Sequence, residues 1–299
     1  DIQILLFLAF LIAFGIKVPM WPVHTWLPDA HVEAPSSGSV ILAAVLLKVG
    51  GYGMIRFLLP ITPDAGLYLN SFLIPLSLIA IIYISFVALA QQDMKKLIAY
   101  SSIAHMGFVT LGIFLVFNTI GQAQDVQDIS HIGLQGSVMQ MLSHGLISAG
   151  LFICIGIIYS RTKSRMINDQ SGIGQIMPVF SALMMFFLLS NSGLPGTSGF
   201  VGEFMVLIAA IKNNIIYAIL ASTTLVLAAS YSLWLGKRVL FGEVSGDIVT
   251  SMKPLRLDEF WPLLILAILV ILIGVKPDIL LSISEESSLN MIKIITSKY

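Results

Sequence analysis

The sequence predicts an all-α membrane protein of about eight transmembrane helices, two of them broken. Three observations carry this. Hydrophobic residues make up 57% of the chain against 11% charged, and mean hydropathy is +0.94, far from the balance of a soluble domain. Apolar runs of the length a helix needs to cross a bilayer core, about 20 residues for about 30 Å, recur between polar clusters. Prolines and glycines interrupt two of these runs from within, and discontinuous helices mark transporter bundles.

Eight runs fall near 2–23, 36–59, 67–90, 95–117, 132–159, 175–212, 215–241 and 259–280. In the first, Pro19 and Pro22 take the helical donors from the carbonyls of Gly15 and Val18, a state tolerated at membrane depth only inside protein or beside water. The sixth is too long for one straight span and carries Gly193, Pro195, Gly196 and Gly199 in its middle, so it reads as two half-helices.

Placing the cations on alternate sides of these spans puts Lys95, Lys96, Arg161, Lys163, Arg165, Lys237, Arg238, Lys253 and Arg256 on one face, nine in all. Arg56, Lys212, Lys276, Lys293 and Lys298 fall on the other, five in all. The excess marks the matrix or cytoplasmic face, with both chain ends opposite.

Several function classes drop out. Net charge is zero, 16 Lys+Arg against 16 Asp+Glu, so no basic field suits nucleic acid. Gly51-Tyr52-Gly53 and Gly172-Ile173-Gly174 lack the further glycine of a phosphate-cradling loop. Cys154, the single cysteine, excludes an internal disulfide framework and a four-cysteine metal or iron–sulfur site within this chain. The opening at Asp1, without methionine or the features of a signal peptide, reads as a piece that starts mid-protein.

The ionisable residues inside the spans carry the functional reading. Lys48 sits near the middle of the second span, where snorkelling to an end is hard and a charge costs about 2.5–3.5 kcal/mol on insertion scales. Burial makes such a lysine able to exchange its proton near neutral pH. The structural alternative is a lysine paired with a carboxylate to join helices, but the nearest acidic residues in sequence are at the helix ends. Glu203 follows the break of the sixth span, flanked by Gly202 and Phe204. As a cap of the restarted half-helix it would suit the dipole, yet it lies deep for a cap, which favours a proton site. Lys17 precedes Pro19 by two residues and serves the freed backbone, the interface or a proton path. His105 and His144 lie in the fourth and fifth spans. A lone helical histidine suits a satisfied core or a relay. Together Lys48, His105, His144 and Glu203 occupy four different spans at interior depth, as a lateral relay requires. His24 and His31 suggest a metal, but their spacing of seven with Pro28 between fits no helical ligand pair. The expectation there is a structured loop with Asp29 and Glu33 at the membrane face.

These stretches resemble one family, subunit 4 of respiratory NADH:ubiquinone oxidoreductase (complex I), among the antiporter-like membrane subunits. The resemblance rests on Lys17-Val18-Pro19-Met20, on His24-Thr25-Trp26-Leu27-Pro28-Asp29-Ala30-His31, and on Leu47-Lys48-Val49-Gly50-Gly51-Tyr52-Gly53. It continues through Tyr100-Ser101-Ser102-Ile103-Ala104-His105-Met106, Leu142-Ser143-His144-Gly145 and the run from Leu194 to Phe204.

The resemblance implies a fold of fourteen helices with two inverted five-helix repeats. It also implies a midplane proton path in which Lys17 matches the first lysine, Lys48 the central one, His105 and His144 the histidines, and Glu203 the distal glutamate. On this reading residues 1–60 are the last two helices of the first repeat, 61–241 the second repeat, and 242–299 a loop, the closing transmembrane helix and a tail. The family's first six helices have no counterpart here, nor does the glutamate that pairs with the position of Lys17. The implied role is a proton-translocating membrane-arm subunit of complex I, part of a proton-translocating NADH:ubiquinone reductase, driven by quinone reduction elsewhere. No redox chemistry, catalytic residue, metal or cofactor is expected in this chain. Implied partners are other membrane-arm subunits, lipid and a separate polypeptide supplying the missing N-terminal helices, with no nucleic acid. The implied location is the mitochondrial inner membrane, with a bacterial plasma membrane as the alternative. Two rivals remain open: a multisubunit cation/proton antiporter or hydrogenase subunit, and a truncated scaffold that does not conduct.

Overall fold

The computed structural model describes residues 2–119, 124–244 and 249–296, the side chains of residues 119 and 124–128 excepted. Lys298 and part of the loop expected at 118–131 lie outside the described residues. The chain runs through α1 (Ile2–Lys17), α2 (Trp26–Glu33), α3 (Ser36–Ile61), α4 (Pro63–Leu89), α5 (Met94–Leu115) and α6 (Gln124–Thr162). It continues through α7 (Pro178–Asn191), α8 (Ser198–Asn213), α9 (Ile215–Leu240), α10 (Leu257–Val275) and α11 (Asp278–Thr296). Among the described residues, α3, α4, α5, the Ile129–Thr162 part of α6, α9 and α10 are long and apolar enough to cross a membrane, while α1 and α7 are shorter apolar helices. With α1 and the broken α7–α8 pair, these supply the eight expected runs.

Both breaks fall where the prolines and glycines put them. Beyond Lys17 the amide of Val18 still reaches the Phe14 carbonyl at 2.8 Å, and Met20 N closes onto the Gly15 carbonyl at 2.8 Å. The Gly15 carbonyl, expected to lack a donor, is thus capped by the amide just past Pro19, and the neighbouring Ile16 carbonyl accepts from Trp26 Nε1 at 3.0 Å. Between α7 and α8, Gly193 (φ 78°) and Gly196 (φ 88°) take the left-handed region that side chains disfavour.

Two features were not legible beforehand. In α3 the segments Leu42–Leu46 and Met54–Leu58 are π-helical, bracketing Lys48. The closing span, expected to reach residue 280, ends at Val275, and α11 follows it as a separate amphipathic helix packed on α6. Pro277 accounts for the stop, because proline lacks the amide that would continue the helix.

Helix α5 is the axis of the bundle, buried along nearly its whole length between α4, α6 and α8. Its first turn is capped by Asp93, whose carboxylate accepts from the amides of Lys95 at 2.7 Å and Lys96 at 3.3 Å, an arrangement worth about 1 kcal/mol. The loops at 91–96 and 161–170 and the described part of the loop 242–258 meet at one end of the bundle. There Met94 N donates to Arg165 O at 3.0 Å, Arg238 donates to Gln92 at 3.2 Å, and Arg161 donates to Lys253 O at 3.0 Å and to Glu259 at 2.7 Å. The loops that carry these cations therefore gather at one end of the bundle, with Lys95 buried there. At the opposite end Gln3 donates to Asp64 at 2.9 Å and Asn118 to Asn213 at 2.8 Å.

The core divides into two apolar clusters. On α3, Ala43 belongs to one and Leu47 to the other; on α5, Leu97 and Ile98 oppose Met106 and Phe108; on α6, Ile147 opposes Met141. Lys48 follows Leu47, His105 lies between Ile98 and Met106, His144 between Met141 and Ile147, and Glu203 between Leu188 of one cluster and Val206 of the other. A polar seam thus crosses the bundle, about 16 Å along α5 from its start at 1.5 Å per residue, the mid-depth of a bilayer core.

Candidate functional site

The seam brings four of the five sequence-predicted residues into one line, made of two hydrogen-bonded pairs, Lys48 with His144 and His105 with Glu203. Lys48 Nζ lies 2.6 Å from His144 Nδ1 and donates to the Ala43 carbonyl at 2.5 Å. That carbonyl is five residues back, within the π-helical turn, where the usual i→i−4 pairing is displaced. With Lys48 protonated the amine donates to Nδ1, and neutral His144 then carries its proton on Nε2, an atom with no hydrogen-bond partner among the described residues.

The His144 and His105 rings are 5.8 Å apart between centroids. Between them is a cavity of about 10 Å³ lined by His105, His144, Gln140, Asn191, Gly199 and Glu203, room for about one water molecule. Beyond it, His105 Nδ1 lies 2.6 Å from Glu203 Oε1, and the same oxygen accepts from Gln140 Nε2 at 3.0 Å. Glu203 is the sixth residue of α8 and 3% exposed, too far inside to cap the half-helix. The cap alternative is set aside by that position. The glue alternative for Lys48 also lacks its carboxylate, since the amine meets a histidine and a carbonyl.

Lys17 stands apart from this series. It ends α1 with its side chain exposed, and its amine has no hydrogen-bond or ion-pair partner among the described residues. Its Cβ packs on Gly50 of α3, where an added methyl would come within 2.9 Å of it and of the Phe14 carbonyl. Glycine at 50 is what lets α1 approach the helix of Lys48 this closely.

Three further side chains belong to the site that sequence reasoning missed. Tyr231 of α9 lies 3.1 Å from His105 Nε2. Gln140 is one turn before His144 on α6, and Asn191 at the end of α7 donates to Ser232 Oγ at 3.2 Å. The available signal was a polar side chain in mid-span: Tyr231 lies about 14 Å from the C-terminal end of α9 at 1.5 Å per residue, far from the interfaces where tyrosine collects.

His24 and His31 do not join the seam. His31 is fully buried, stacked on Phe152 with centroids 4.4 Å apart, while Lys95 Nζ holds the carbonyls of His31 at 3.2 Å and Ala34 at 2.8 Å. Burial, reinforced by the positive charges of Lys95 and Lys48, lowers the His31 pKa to about 4. Among the described residues no three His, Cys, Asp or Glu side chains gather into a metal-binding group. Asp29 lies at the cation-rich face, 3.3 Å from Lys96.

Comparison with known proteins agrees with this geometry. Residues 2–228 match the transmembrane family described as NADH:quinone oxidoreductase/Mrp antiporter. NADH-ubiquinone oxidoreductase chain 4 of Chondrus crispus is 45% identical over 98% of this chain and 57% of its own length. NADH-quinone oxidoreductase subunit M of Rhodobacter capsulatus is 46% identical over 98% of this chain and 54% of its own. The chain thus spans about half the length of these curated relatives. Among solved structures, respiratory complex I from Thermus thermophilus with bound NADH contains a chain that superposes with TM-score 0.88 at 30% identity, covering 99% of this chain and 60% of that one. The Mrp complex from Dietzia sp. DQ12-45-1b superposes with TM-score 0.82 at 19% identity, a likeness of fold alone. A match over most of the chain, borne by helices that carry a buried lysine, two histidines and a glutamate in one polar seam, places this protein in the NADH:quinone oxidoreductase/Mrp antiporter transmembrane family.

Proposed function

We propose that this chain conducts protons as an antiporter-like membrane-arm subunit of respiratory complex I, through the line Lys48, His144, His105 and Glu203. One observation carries this: the four side chains come from four helices yet form a buried series, interrupted only by a cavity of about 10 Å³ between the two rings. Each group holds or releases one proton, and the Glu203 carboxylate closes the line 2.6 Å from His105 Nδ1. Quinone reduction is assigned to other subunits and drives the line without a cofactor in this chain. The relatives' names support complex I over a free-standing antiporter, and the buried series favours conduction over a passive scaffold.

Lys17 completes the scheme as the entry lysine. Its exposed amine, without a partner among the described residues, calls for a carboxylate on a helix packed against α1 and α3. We divide the chain accordingly into 1–60, the end of a first repeat, 61–241, the second repeat, and 242–299, the closing helix and tail. The location follows the mitochondrial relatives, the inner membrane. The test is proton uptake by liposomes holding the intact complex. Lys48→Ala should lower pumping per quinone reduced at least tenfold with assembly intact; undiminished pumping removes Lys48 from the line. Co-purification with a sodium/proton exchange activity and no quinone-reducing partner would favour the antiporter instead.

A further inference from the structure

The proton line leaves one buried ionisable side chain of its own neighbourhood without a role. Tyr231 is fully buried; its hydroxyl lies 3.1 Å from His105 Nε2 and also has Ser101 and Asn191 as polar neighbours. His105 Nδ1 is committed to Glu203 at 2.6 Å. The second ring nitrogen therefore has opposite needs in the two states of the ring, since Nε2 accepts when the ring is neutral and donates when it is an imidazolium. A carbonyl serves only the second state and an amide N–H only the first. A hydroxyl serves both from one oxygen.

We propose that Tyr231 is the positioning residue that accommodates His105 in both protonation states. With the ring neutral, the phenol O–H donates to Nε2. When the ring takes up a proton from the line at Nε2, it becomes a cation beside Glu203, the phenol turns its O–H to Asn191 or Ser101, and its oxygen accepts the new N–H. Tyr231 keeps its own proton throughout. The ionisable groups facing His105 are Glu203 on α8, His144 on α6 with Lys48 behind it on α3, and Tyr231 on α9. The inference rests on the proton line proposed above.

The test uses the intact complex in liposomes, read as protons pumped per quinone reduced across pH. Hydrogen bonds to charged partners are about twice as strong as neutral ones, so Tyr231→Phe weakens the cationic state of His105 more than the neutral one. The expected result is a severalfold loss of pumping at neutral pH and a shift of the pH profile toward acid by about one unit. Site-specific replacement of Tyr231 by 3-fluorotyrosine keeps the hydroxyl but makes it a poorer acceptor, and should retain pumping with a smaller acid shift. A wild-type pH profile in Tyr231→Phe, or in the fluorotyrosine protein should the phenylalanine variant not assemble, overturns the proposal. Undiminished pumping in Glu203→Gln would instead overturn the line itself.

Discussion

The amine of Lys48 and Nδ1 of His144 lie 2.6 Å apart although the residues are 96 positions apart in sequence. The contact joins α3, the neighbour of Lys17, to α6, and α6 packs in turn on α5 and α8, which carry His105 and Glu203. At this position Lys48→Arg should be as defective in pumping as Lys48→Ala while assembling better, because a guanidinium keeps a donor on His144 but does not release its proton. Pumping by the arginine variant at half the wild-type rate or more would show that this group need not deprotonate.

At the other end of the line, removal of charge and removal of hydrogen bonds separate. Glu203→Gln keeps an oxygen for His105 Nδ1 and Gln140 and should abolish most pumping with little loss of thermal stability. Glu203→Leu strands both donors and should cost about 1–3 kcal/mol for each buried group left unpaired. Equal melting temperatures for the two variants would contradict the observed pairing.

Topology is checked from outside. Lys163, exposed in the loop that pairs with the Asp93 segment, should react with an impermeant amine reagent only from the matrix or cytoplasmic side of sealed membranes. Labelling from the opposite side would invert the assignment.

His31 gives a pH dependence with a definite sign. Its pKa in the fold, about 4, lies below the ordinary 6.5, so the unfolded chain binds the proton more readily. Its share of stability is complete above pH 6.5 and is lost as pH falls toward 4, up to about 3 kcal/mol at 1.36 kcal/mol per unit. His31→Phe, which can keep the stack on Phe152, should flatten the fall in melting temperature between pH 6.5 and 4 relative to wild type. An unchanged slope would show that other groups account for it.

Gly274 tests how tightly α10 is held on the helix break. A Cβ there would lie 2.5 Å from the Gly196 carbonyl oxygen, against backbone that has no room to yield. Gly274→Val should destabilise the bundle by about 1–3 kcal/mol through overpacking, measured by thermal unfolding in detergent. Wild-type stability would mean that α10 can ride outward without cost.

Composition and spacing alone established the membrane class, the apolar runs, both breaks, the cation-rich face and five candidate residues, because each rests on a local rule. A span needs about 20 apolar residues, proline removes an amide, and a charge at mid-span such as Lys48 is costly wherever its partners are. Resemblance added roles and order, not distances. What the sequence left open depends on partners remote in the chain. Which nitrogen of His105 meets Glu203, that Tyr231 takes the other, and that Lys17 stays exposed while Lys48 meets His144 follow from the packing of α3, α5, α6, α8 and α9. The π-helical turns around Lys48 also escaped a reading by periodicity, since a one-residue widening of a helix leaves the apolar pattern unchanged and shows only where a carbonyl such as that of Ala43 finds its donor. A hydrogen bond is decided within a few tenths of an ångström, a precision that helix periodicity does not carry and that only the assembled bundle supplies.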